Sequence, residues 1–325
     1  MNLAKEALRE VLWAEARLRP HLAPTPFSHS LPLSRETGAQ VYLKHEYLQP
    51  TGSFKVRGAL NTLLSLSSGE RARGVMTAST GNHGAAVAWG ARKLSCPCIV
   101  YVPHGAEPDK LASIELLGAE LRQVGADCVE AELAGRRGAA EEGRTYIPPY
   151  NDLRVVGGQG TVGMELFREL PGLDAVYVPL GGGGLLSGIA AYLKAVRPGV
   201  RLVGCSPENS PVMIRSIEAG RILELPSLPT LSDGTAGGIE PGAITFELCR
   251  ELVDDFLTVS EEEIAAALRL FLKWHHRLIE GAAAVAVAAL LRDRRRLAGK
   301  TVAVILSGAN IGLARLREIL QKGER

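Results

Sequence analysis

Apolar residues in this chain fall into short runs separated by longer amphipathic stretches, and that alternation predicts an architecture. Residues 4–17 have the spacing of an amphipathic helix. They lead into Pro20-His21-Leu22-Ala23-Pro24-Thr25-Pro26, whose prolines demand an extended path. Val41-Tyr42-Leu43-Lys44 reads as a strand, followed by a glycine-serine turn and a helix to about residue 66. Strands are then expected at 75–77, 98–102, 121–124 and 145–147, with helices at 84–94, 109–117 and 130–142 between them. After Tyr150 the alternation restarts with helix 160–170, strand 175–179, helix 184–196 and strand 201–205. Residues 225–242 carry no periodicity, two alanine-rich helices are expected at 261–278 and 282–291, and a strand at 301–306 comes last. Apolar strands separated by helices indicate a parallel sheet covered on both faces. The predicted class is therefore α/β, with two lobes built on open twisted parallel sheets and a joint near residues 147–151.

Length and composition narrow the setting. A chain of 325 residues can bury a large core and split into two lobes. Its 46% hydrophobic and 22% charged residues are ordinary for a globular protein. The formal net charge is +2 with no basic block interleaved with aromatics, so nucleic acid is not an expected partner. No apolar run reaches the roughly 18 residues that a membrane span needs, and residues 1–20 lack the apolar core of a signal peptide. The five cysteines are odd in number and scattered, which suits a reducing cytoplasm. Cys96-Pro97-Cys98 has no second ligand pair at zinc-site spacing, so these thiols are expected to pack in the core and no metal is assigned.

Candidate chemistry lies in four segments. Lys55 occurs in Gln49-Pro50-Thr51-Gly52-Ser53-Phe54-Lys55-Val56-Arg57-Gly58, where Pro50, Thr51 and Gly52 end one element and Ser53 is placed to cap the next helix. Alone the pattern says little, since most lysines are solvated. Three further segments each close a predicted strand, where ligands of open α/β sheets bind. Gly181, Gly182, Gly183 and Gly184 stand between a strand and a helix, and four successive glycines let backbone amides converge on a phosphate. No P-loop lysine follows, so a phosphate monoester fits better than a nucleotide. Ser79, Thr80, Asn82 and His83 open another helix with the donors for a small anion such as an amino-acid carboxylate. Ser307 in Leu306-Ser307-Gly308-Ala309-Asn310 could present a hydroxyl inward. An imine-forming lysine, a phosphate cup and a carboxylate pocket together specify pyridoxal 5'-phosphate acting on a small amino-acid substrate.

These segments, in this order and at this spacing over nearly the whole chain, resemble the fold type II pyridoxal-phosphate enzymes, whose fold is that of the tryptophan synthase β-subunit. The similarity is greatest to the threonine/serine dehydratase and serine racemase branch, because Val56-Arg57-Gly58-Ala59 follows the lysine where sulfhydrylases and threonine synthases usually carry an aspartate. The resemblance implies a large cofactor-binding domain of residues 1–66 and 149–325 and a small domain of residues 67–148. It implies that Lys55 forms the imine to the cofactor, Phe54 lies against its ring, and Asn82 bonds its 3'-oxygen. The four glycines would hold the phosphate and Ser307 would face the pyridine nitrogen. Gly234 and Glu280 correspond to active-site positions with less defined roles. Ser79, Thr80, Asn82 and His83 would hold the substrate carboxylate.

The same resemblance implies a β-hydroxyl elimination that yields a 2-oxo acid and ammonia, with Lys55 as the base. Thr80 occupies the position where racemases of this branch place a serine hydroxyl, so some racemisation is chemically open, with dehydration as the expected principal activity. Members that bind a divalent cation have glutamate and aspartate where this chain has Ser206 and about Val212, which removes the usual metal site unless Glu208 substitutes. No second α+β module follows Ser307, so isoleucine feedback is not expected. Residues 152–160 and 225–242 are expected to be loops that shape substrate choice, and the Ser79-Thr80 pair and the glycine after Glu280 also resemble hydroxyectoine-utilisation dehydratases. A homodimer or homotetramer is expected from the family. The rivals are a cysteine synthase-like β-replacement enzyme and a non-catalytic ligand-binding module. His275 and His276 are expected on a helix surface, and 292–296 as a solvated helix end.

Overall fold

The computed structural model describes residues 2–321. Ten strands form two sheets: β1 (Phe27–His29), β2 (Gln40–Lys44), β3 (Val75–Ala78), β4 (Cys98–Val102), β5 (Glu120–Gln123), β6 (Thr145–Tyr146), β7 (Ala175–Pro179), β8 (Arg201–Pro207), β9 (Asp255–Val259) and β10 (Thr301–Ile305). The larger sheet has the order β1-β2-β10-β7-β8-β9 and the smaller β5-β4-β3-β6. All pairings are parallel except the edge strand β1, which runs antiparallel to β2. The central strands β7 and β10 are apolar almost throughout because helices cover both faces. On one face lies the alanine-rich helix Gly281–Arg292, whose small side chains let it approach the sheet and bury nearly every residue from Gly281 to Leu290.

One expected loop is a helix. Residues 152–160 belong to the helix Leu153–Glu169, capped by Asp152, which accepts a hydrogen bond from Arg154 N. Its glycines are packing sites rather than loop hinges. A Cβ on Gly157 would stand 2.5 Å from Glu10 Cγ, and one on Gly158 2.5 Å from Arg57 O. One on Gly160 would stand 2.7 Å from Gly188 O. The helix is thus wedged among the helices Leu3–Leu18, Lys55–Ser65 and Gly184–Val196, and glycine is required by the closeness of their backbones. Residues 225–242 do lack regular structure apart from one short turn at Asp233–Thr235.

Other differences are local. The expected helix 261–278 ends at His275 because His276 turns left-handed, with φ of 52°. His275 is not a bare surface residue: it stacks on Phe271 at 4.5 Å and bonds Ser30 Oγ. Strands β1 and β9 and the helices Leu31–Thr37, Ser68–Arg73, Val212–Ala219 and Ile244–Leu252 carry too short or too polar a pattern to be read in advance. Cys96 and Cys98 are buried, whereas Cys128 is exposed. No helix among the described residues is long and apolar enough to cross a membrane.

Candidate active site

The segments after β3, β7 and β10 converge at the C-terminal ends of their strands. The lysine segment is zipped onto the segment after β10: Phe54 N donates to Ser307 O at 2.9 Å, Ala309 N to Gly52 O at 3.0 Å, and Ser53 and Gly308 form an antiparallel bridge. This pairing corrects the expected role of Ser53. Phe54 rather than Ser53 caps the helix Lys55–Ser65, without a side-chain bond, and Ser53 Oγ is buried with no partner among the described residues.

Lys55 is half-buried at the start of that helix, and Nζ donates to the Pro149 carbonyl at 2.9 Å. It also stands 5.3 Å from the centre of the Phe54 ring. Burial lowers its pKa to about 8, against an opposing pull from the Glu280 carboxylate. The next residue, Tyr150, lies against Gly182 and Gly184, so a single peptide step separates the lysine's partner from the glycine quartet.

The quartet has two physical reasons to be glycine. Gly183, at φ of 85°, caps the helix Gly184–Val196 with no side-chain bond, and the first amide to find a partner in the helix is that of Ser187. The amides before it are free for an anion. Close neighbours supply the second reason. A Cβ on Gly181 would lie 2.8 Å from the Thr235 backbone, and one on Gly182 would enter the Tyr150 ring. Thr245 Oγ1 fastens the loop from outside by donating to Gly182 O at 2.7 Å.

After β3, Gly81 caps the helix Asn82–Lys93 and likewise makes no side-chain bond. Ser79 Oγ accepts from Gly81 N at 3.1 Å, and Ser79 and Thr80 are half-buried. Asn82 Nδ2 donates to both Glu280 oxygens at 3.0 and 3.1 Å, while Asn82 Oδ1 accepts from Asn310 Nδ2 at 2.6 Å. Asn310 completes the set, donating through its backbone N to Glu280 at 3.0 Å and through Nδ2 to Thr51 O at 2.9 Å. Gly234 adjoins the same carboxylate, since a Cβ there would lie 3.6 Å from Glu280 Oε1.

His83 departs from its expected role. Its Nε2 faces the Ile147 carbonyl at 3.0 Å, so this nitrogen carries the proton. Burial, assisted by the Lys55 cation, holds its pKa at about 3. The neutral ring turns a bare lone pair inward at Nδ1, which cannot donate to a carboxylate. Ser206 donates to Leu180 O and Glu208 is paired with Arg292, so neither is arranged as a cation ligand.

Burial raises the Glu280 pKa to about 7, opposed by the bond from Asn82. A raised carboxyl pKa favours folding below the ordinary value of 4.5 and loses that contribution as pH rises through about 7. Glu280→Gln should therefore match the wild type near pH 4.5 and gain stability over it above pH 7, by up to about 3 kcal/mol. Melting curves of the cofactor-free proteins across that range test this, and a constant difference would refute it.

The sequence signalled the lysine, the quartet and Ser307 but not Tyr150 or the role of Asn310. Tyr150 carries no motif. The one cue was an aromatic residue at the expected joint between lobes. The buried, unpartnered hydroxyls of Ser53 and Ser307 and the uncapped quartet beside Lys55 fit a phosphorylated aldehyde cofactor.

Residues 18–308 match the family model described as pyridoxal-phosphate dependent enzyme. The chain is 40% identical to a putative threonine dehydratase of Sinorhizobium fredii, over 98% of this chain and 96% of that one. It is also 40% identical to the L-threonine ammonia-lyase of Thermotoga maritima, over 97% of this chain and 78% of that one. Among solved structures, the processed form of threonine deaminase isoform 2 from Solanum lycopersicum superposes with a TM-score of 0.94 at 30% identity, over 99% of this chain and 94% of that one.

Proposed function

The chain belongs to the pyridoxal-phosphate-dependent enzyme family, and from that premise we propose that it is an ammonia-lyase converting L-threonine to 2-oxobutanoate and ammonia. The observation that carries this reading is Lys55, an amine of lowered pKa held beside an uncapped glycine quartet. The likeness to threonine ammonia-lyases over nearly the full chain supports threonine as the substrate.

In this reading Gly181, Gly182, Gly183 and Gly184 would hold the cofactor phosphate, Phe54 would lie against the ring, Ser307 would face its ring nitrogen, and Asn82 would meet its 3'-oxygen by giving up a bond to Glu280. When bound, pyridoxal 5'-phosphate supplies an aldehyde for the substrate nitrogen and an electron sink that acidifies the α-carbon. Lys55, partly neutral near pH 8, accepts the α-proton at Nζ. Ser79, Thr80 and the free amides of the helix Asn82–Lys93 orient the substrate carboxylate. Ser307 offers a neutral hydroxyl where a carboxylate would hold charge, which favours loss of the β-hydroxyl over transamination. Residues 67–148 form the small lobe and 1–66 with 149–325 the cofactor-binding lobe. A twofold assembly is part of the reading on general grounds, as is a reducing cytoplasm on account of the five free cysteines.

The holoenzyme should show an imine absorption band that is lost on borohydride treatment, and should release 2-oxobutanoate and ammonia in equal amounts from L-threonine. Release of a D-amino acid faster than 2-oxo acid, or activity only when sulfide is supplied with O-acetylserine, would overturn the assignment.

A further inference from the structure

An ion pair ties the helix packed on the smaller sheet to the irregular segment around Glu240, which in turn meets the tyrosine lying on the glycine quartet. Arg136 lies on the helix Cys128–Glu141, which packs on the smaller sheet, and its guanidinium stands 4.7 Å from the Tyr146 ring. Its Nη2 reaches Glu132 at 2.8 Å and, across the cleft, Glu240 at 2.7 Å. Glu240 N donates to the Tyr150 hydroxyl at 2.9 Å. The Tyr150 ring in turn packs on Gly182, and its neighbour Pro149 receives the bond from Lys55. Asn151 Oδ1 fixes the same strand of chain by accepting from Ile244 N at 2.9 Å.

Resting on the reading of residues 181–184 as a phosphate cup, we propose that Arg136, Glu240 and Tyr150 are positioning residues that form a clasp. Closure of the smaller sheet's helix on Glu240 presses Tyr150 against Gly182 and so sets the width of the cup and the place of Lys55. No motif marks the clasp. Its ion pair joins side chains 36% and 24% exposed, so the fold should survive its loss, although Glu240 Oε1 is itself buried with no hydrogen-bond partner among the described residues.

The test compares Arg136→Met, Tyr150→Phe, the double variant and Arg136→Lys as holoenzymes. Its readouts are the dissociation constant of pyridoxal 5'-phosphate, followed by cofactor fluorescence on dilution, and the melting temperature. Arg137→Met serves as control, because among the described residues Arg137 meets only Glu141, at 3.9 Å, on the same helix. Each single clasp variant should bind cofactor about fivefold more weakly, with the melting temperature little changed. The double variant should be no weaker than the worse single one, and Arg136→Lys should recover most of the loss. Wild-type affinity in Arg136→Met, or losses that multiply in the double variant, would overturn the clasp while leaving the cup intact. Failure of the wild type itself to hold the cofactor would overturn both.

Discussion

Lys55→Ala is expected to lower threonine deamination by about a thousandfold or more and to remove the imine band at the same time. The amine is the one group in the cleft placed to do two jobs. It can bond covalently to a carbonyl compound, and its pKa of about 8 lets a useful fraction be neutral near neutral pH. Alanine deletes both, and its neighbours cannot replace it. His83 is neutral and turned toward Ile147, while Glu280 is already bonded to Asn82 and Asn310. Cofactor should still bind through its phosphate, because the quartet is untouched, but as the free aldehyde with its own spectrum. Added methylamine should restore part of the rate if the amine is what is missing. A variant with full turnover would end the mechanism described above.

Arg57→Leu is expected to be the most destabilising single change, at about 3–5 kcal/mol. Arg57 is 2% exposed, and its guanidinium donates to Glu46 at 2.7 and 2.9 Å, to Glu165 at 2.6 and 2.9 Å, and to Thr161 at 3.0 Å. Lys44, fully buried, supplies the second cation to Glu165 at 2.6 Å. Leucine fills much of the volume but leaves Glu46 as a buried carboxylate without its counter-ion. Denaturant unfolding of the single variant against Arg57→Leu with Glu46→Gln gives the check. The second change should recover part of the loss, and equal stabilities would show that charge burial is not the cause. Because Glu46 lies before the Lys55 turn and Arg57 two residues after Lys55, the cluster fixes both sides of that turn.

Legibility in the sequence followed from how local the physics was. The strand Ala175–Pro179 and the helix Gly184–Val196 were readable because apolar runs bounded by glycine have few other solutions. The first turns of the helix Leu153–Glu169, up to residue 160, were hidden by glycines that disfavour helix locally and are demanded by three neighbours distant in sequence. Ser53 has the right identity for a cap, but its strand-like bridge to Gly308, more than 250 residues away, overrides that preference. His83 shows the same limit. Its type suggests a donor, and only the Ile147 carbonyl reveals which nitrogen carries the proton. Tyr150 and Asn310 act through partners that no local spacing could announce.

The interleaving of β10 between β2 and β7 has a bearing on synthesis. Residues 40–44 must wait for residues 301–305 before the larger sheet is continuous, and the turn that holds Lys55 waits for residues 307–309. A nascent chain leaving the ribosome can assemble the smaller sheet early, yet the Lys55 turn stays unsupported until residues 307–309 have been made. Contacts this far apart in sequence also slow spontaneous refolding, so completion of the cleft lags behind that of the smaller sheet.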